Sequence, residues 1–133
     1  MANYYASARS NYFRVKDLAA FRAAMTPLSV EVVGNDDDPQ QVALLSDDEA
    51  GWPSGYWDEA SDTDVEVDVA ELVAGHLADG WVAVFMEAGH EKLRYVAGCA
   101  TAINAAGQVR QIRLDDIYGL AKQLGPNVTL AEY

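Results

Sequence analysis

The chain has 133 residues, half of them hydrophobic, with a single cysteine and a net charge of −12. That length suits one domain that can bury a core without a disulfide or a metal, and the hydrophobic share argues against disorder. The lone Cys99 excludes an internal disulfide, and no apolar run reaches the roughly 18 residues of a membrane span, so a reducing cytoplasm is the expected compartment.

"MANYYASARSNYF" lacks the apolar core of a signal peptide. In "NYFRVK", Phe13 and Val15 alternate with Arg14 and Lys16, the period-2 pattern of a strand with one wet face. A helix is predicted next, capped by Asp17, with Leu18, Phe21 and Met25 as its apolar stripe and Pro27 marking its end. "LSVEVV" and "QVALLS" read as a hairpin whose tip, "GNDDDPQ", is acidic.

Residues 47–62 contain two glycines and Pro53 and are expected to form a long loop. "DTDVEVD" reads as a short amphipathic strand, valines on one side and acids on the other. Asp68 with Glu71 three residues later announces a helix to about Leu77, and Gly80 lies beyond its end. "WVAVFM" is apolar on both faces, which predicts a central strand covered on both sides, followed by a turn at "EAGHEK". Residues 93–103 and "QVRQIRL" continue as antiparallel strands about "NAAG". A last helix opens at Asp115 or Asp116, with Ile117, Leu120, Ala121 and Leu124 on one face. The pattern predicts one α+β domain over residues 1–133: a mainly antiparallel sheet of about five or six strands with two or three helices packed on it.

The charge is unevenly placed. Residues 23–91 hold 17 of the 21 acidic residues and none of the nine basic ones. Such a segment repels nucleic acid and anionic membranes and attracts a basic protein surface. Within it, Asp58, Glu59, Asp62, Asp64, Glu66 and Asp68 crowd one stretch. Residues two apart in an extended chain stand roughly 6.5 to 6.8 Å apart, so the acids at 62, 64, 66 and 68 form a row that resembles a phosphate backbone in charge and spacing. Asp36 to Asp38 and Asp47 to Glu49 are expected to extend the same face. Trp52, Tyr56 and Trp57 sit in the adjoining loop, and aromatics inside an acidic surface suit docking on a basic partner. Folding back over the sheet is the alternative use of these rings.

Other chemistry finds less support. "DTDVEVD" lacks the glycine and the bidentate glutamate of a calcium loop, which leaves only a weak calcium response as an alternative. No cofactor is implied. His76 and His90 have no spaced Cys, Ser or second His, Cys99 lies among apolar neighbours, and no phosphate-binding, zinc-protease or serine-hydrolase motif occurs. A small enzyme built on His76 or His90 is the remaining catalytic alternative. Four cations in residues 1–22 are few for a nucleic-acid patch; they would neutralise part of the acidic field within the chain or across a homodimer.

The stretches "NYYASARSNYFRVKD", "GWPS", "HLADGWVAVFMEAGHEKLRYVAGCATAINAAG" and "LDDIYGLAKQLGPNVTLAEY" together cover nearly the whole chain. In them it resembles small acidic, largely uncharacterised proteins carried by phages, plasmids and other mobile elements of bacteria. The resemblance implies an anti-restriction or anti-CRISPR context, in which a DNA mimic occupies the nucleic-acid site of a host defence complex. It carries over no catalytic or binding motif.

Overall fold

The computed structural model describes residues 3–131. Its elements run β1 (Tyr4–Ser10), β2 (Phe13–Arg14), α1 (Leu18–Met25), β3 (Val30–Asn35), β4 (Asp38–Ser46), β5 (Gly55–Asp58), β6 (Thr63–Glu66), α2 (Val69–Ala74), β7 (Val82–Glu91), β8 (Tyr95–Asn104), β9 (Val109–Arg113) and α3 (Ile117–Ala121), with a 3-10 turn at Leu114–Asp116 leading into α3. The fold is α+β. Among the described residues, β5 and β6 form a ribbon of their own and the other seven strands form one sheet, in which every strand pair is antiparallel.

The N-terminal strand is bent. β1 pairs with β7 over its full length, from Tyr4↔Glu91 to Ser10↔Phe85, and touches β4 at Arg9↔Leu45. After a break at Asn11 and Tyr12, β2 takes up the same edge of β4 at Phe13↔Val42. Side chains bridge the break where backbone pairing lapses. The Ser10 hydroxyl accepts the Leu44 N–H at 2.8 Å, and the Asn11 amide oxygen accepts the Val84 N–H at 2.8 Å while its nitrogen donates to the Val82 carbonyl at 3.1 Å. Buried backbone donors are almost always satisfied, and here two polar side chains do what a straight strand would have done.

α1 forms where its caps and stripe predict. Asp17 accepts the Ala20 N–H, Thr26 closes the last turn by donating to the Arg22 carbonyl, and Phe21 and Met25 are buried. α2 starts at Asp68, whose carboxylate accepts the Glu71 N–H, and buries Val69, Val73 and Ala74. Both helices pack on the same side of the sheet. The core between them joins Phe13, Phe21, Met25, Leu44, Val73, Leu77 and Phe85, and Phe21 meets Phe13 edge-on at 5.8 Å.

Several expectations are corrected. β5 falls inside the expected loop, so residues 47–62 are not one loop, and β1 occupies a stretch for which no element was expected. β7 continues through "EAGHE", and the turn to β8 falls at Lys92 and Leu93, both in the left-handed region. β7 is central, between β1 and β8, yet Val82 and Met86 are exposed because both packed helices cover the opposite face. Cys99 is only half-buried. Ile117 and Leu120 of α3 and Leu124 of the turn after it are all exposed instead of packed on the sheet.

Candidate functional site

The β5–β6 ribbon takes its β-forming residues, Tyr56, Trp57, Thr63 and Val65, from either side of a four-residue turn, 59–62. Asp58 organises that turn: its carboxylate accepts the Ala60 N–H at 3.2 Å and the Ser61 hydroxyl at 2.9 Å. Asp62 takes the left-handed conformation that completes it, with φ 54°, a region that Asp tolerates better than most side chains. The close approach of the strands needs glycine at 55, since a Cβ there would strike the Val65 carbonyl. Past the ladder, Val67 N–H donates to the Ser54 carbonyl at 2.8 Å and ties the ribbon to the start of α2.

Register divides the ribbon into two faces. Tyr56 pairs with Val65, and both turn inward, Tyr56 against the core cluster. Trp57 pairs with Asp64, and Gly55 with Glu66, on the outward face, where Trp57 is 54% exposed. Trp52 also folds inward; its ring meets Phe85 edge-on at 5.3 Å and its backbone N–H donates to the Glu87 carboxylate at 2.8 Å. Of the three aromatics singled out in this stretch, two cover the sheet and one is free to meet a partner.

The acids separate in the same way. Asp68 caps α2 and Asp58 holds its turn, so the row at 62 to 68 shortens to Asp64 and Glu66 in extended chain, with Asp62 and Glu59 at the tip. All four are exposed, and among the described residues none of them forms an ion pair. The remaining acidic segments do not converge on one face. Asp36 and Asp37 lie at one end of β4 and Asp47 to Glu49 at the other, and nine residues of strand span about 30 Å. Asp38 is neutralised by Arg14 at 2.6 Å, and that guanidinium, with the Gln40 N–H, holds its carboxyl below the ordinary carboxylate value. Glu87 is internal to the fold, accepting from Trp52 and from the Tyr4 hydroxyl at 3.2 Å; burial, and then this carboxylate, push the Tyr4 phenol above its usual value.

Comparisons with protein families, with curated proteins and with solved structures found no match. The chemistry of the chain is therefore read from its own geometry.

The histidines occupy dissimilar places. His76, just past the end of α2, lays its ring edge-on to Phe21 at 5.7 Å, as a core-packing group does. His90 borders an open hollow of about 270 Å³ with Tyr5, Ser7 and Glu49. Its Nδ1 is buried without a partner, and no hydrogen bond joins His90, Ser7 and Glu49 among the described residues. Among those residues, no group of three or more His, Cys, Asp or Glu is arranged to hold a metal ion, and no helix is long and apolar enough to cross a membrane.

The inward turn of Tyr56 had a signal in the sequence. Tyr56 and Trp57 are successive residues of one strand, so their opposite parity sends one ring to the core face and the other outward. That parity becomes readable only when "GYWD" is recognised as a strand.

Proposed function

We propose that this is a non-enzymatic binding protein that docks its β5–β6 ribbon on a basic surface of a host protein. Trp57 is the anchor, and Glu59, Asp62, Asp64 and Glu66 form the anionic surround. The observation that carries the reading is the pairing of a half-exposed tryptophan with Asp64 on an outward face free of cations. An aromatic ring supplies buried apolar area at small entropic cost, and unneutralised carboxylates steer the encounter. Asp64 and Glu66, two residues apart in extended chain, keep the spacing of successive phosphates, which suits a surface that otherwise holds nucleic acid. A defence nuclease or CRISPR complex, with this chain as its mobile-element inhibitor, is the partner class that fits both this chemistry and the resemblance noted above.

The test is capture from a bacterial lysate by the tagged protein at low ionic strength, followed by elution with rising salt. The expected result is a nucleic-acid-binding protein that elutes early in the gradient, as screened charge pairs do. Asp64→Lys with Glu66→Lys should abolish capture and Trp57→Ala should weaken it, each with an unchanged circular dichroism spectrum. Capture that survives the double reversal would refute the proposal.

A further inference from the structure

The face of the sheet opposite α1 and α2 is bare. Side chains alternate along a strand, and the register of β1, β7, β8 and β9 puts Tyr5, Val82, Met86, Val96 and Ile112 on that one face, between 45% and 68% exposed. The C-terminal segment is equally bare: Leu114, Ile117, Leu120, Leu124 and Leu130 are between 52% and 93% exposed. Leu114 sits beside Gly98 on the same side, so sheet face and stripe adjoin. A compact chain of 14.4 kDa exposes roughly 6,800 Å², whereas this one exposes 8967 Å². The surplus, about 2,100 Å², more than covers the ~800 Å² that each partner of a stable complex buries.

We propose that the open face and the C-terminal stripe are the interface of a homodimer, with a second copy of the chain as the occupant and each copy's stripe laid on the other's sheet. Three observations select that occupant. The ten exposed residues offer on the order of 1,000 Å² per copy, above the ~800 Å² per partner of a stable complex. None of the side chains that β1, β7, β8 and β9 send to this face is acidic, and Arg9 and Arg110 are among them. In a chain of net charge −12 this is where two copies approach with least repulsion. The chain's own α3 is too short to serve instead. Five helical residues span about 7.5 Å, against four strands of which β7 and β8 are ten residues long, about 33 Å.

Sedimentation equilibrium of the full chain from about 1 µM to about 100 µM tests this. The expected result is twice the chain mass, with an affinity that holds or rises with salt, because salt screens the repulsion between the two anionic bodies. That sign is opposite to the salt response expected of the ribbon's partner, so the two proposals fail independently. Val96→Asp on the face and Leu124→Asp on the stripe are both exposed in the single chain and should leave the melting temperature of the dilute monomer unchanged. Each buries an unpaired carboxylate twice in the symmetric pair and should raise the dissociation constant about 100-fold or more. A monomer at the highest concentration would overturn the proposal, including one whose α3 amides resist hydrogen exchange because the chain covers its own face. So would a dimer indifferent to both substitutions.

Discussion

Ser10→Ala isolates one hydrogen bond at the bend of the N-terminal strand. Ser10 is 2% exposed and Leu44 is wholly buried, and the serine hydroxyl accepts the Leu44 N–H at 2.8 Å while donating to the Asn11 carbonyl at 2.8 Å. Alanine fits the space but leaves a buried N–H without an acceptor, which costs about 1–3 kcal/mol. For a chain of 133 residues, each kcal/mol lowers the melting midpoint by about 3–5 °C, so the variant should melt roughly 3–15 °C below the wild type. Urea unfolding should show the loss as a lower midpoint at constant slope, since the surface exposed on unfolding is unchanged. Ser7→Ala, on the exposed side of the same strand, is the control and should stay within about 0.5 kcal/mol. If Ser10→Ala matched that control, the bend would not depend on the serine as its acceptor, and the account of how β1 and β2 share one edge of β4 would be wrong.

Gly89→Ala should destabilise by about 1–3 kcal/mol in thermal melts, because the new methyl runs into the Tyr5 carbonyl and lies 2.7 Å from the Ala6 Cβ, forcing β1 away from β7. At Gly34 a Cβ meets nothing within 4 Å, so Gly34→Ala should be neutral or stabilising by less than about 1 kcal/mol. Trp52→Ala should cost about 3 kcal/mol through the lost packing on Phe85, and Trp57→Ala less than about 0.5, by denaturant titration. The pH dependence of Asp38 has a definite sign. Its carboxyl lies below the ordinary 3.8 in the folded chain, so its contribution is present above that value and is lost as pH falls through the lower one. The wild type should therefore exceed Asp38→Asn in stability at neutral pH and converge on it as pH falls through that lowered value.

What could be read in advance was what is encoded locally. α1 and α2 announce themselves by Asp17 and Asp68, side chains that bond an N–H three residues on, and by apolar stripes at helical spacing. The β3–β4 hairpin follows from two apolar runs, "VEVV" and "VALL", about an Asn-Asp-Asp turn. β1 escaped because its inward residues, Ala6, Ala8 and Ser10, are small and give little contrast in hydrophobicity against Tyr5, Ser7 and Arg9. The contrast that matters there is size, as Gly89 confirms by admitting β1 so closely. The one-sided cover of β7 was illegible for a different reason. Apolar residues on both faces of a strand state that both are to be covered, but not by what, and this chain supplies two packed helices for one of them. At the ribbon, the density of acids was plain and Asp68 could be read as a cap, whereas the internal duty of Glu87 depends on the Trp52 N–H and the Tyr4 hydroxyl, donors that only folding brings near.

The ribbon shares no backbone ladder with the main sheet; Tyr56 leans on the core and Val67 bonds to Ser54 at its base. Residues 57–64 can therefore be rewritten without disturbing the pairing of the seven-stranded body. Such a detachable tip lets an experimenter randomise those eight positions on a scaffold whose own pairing is left alone.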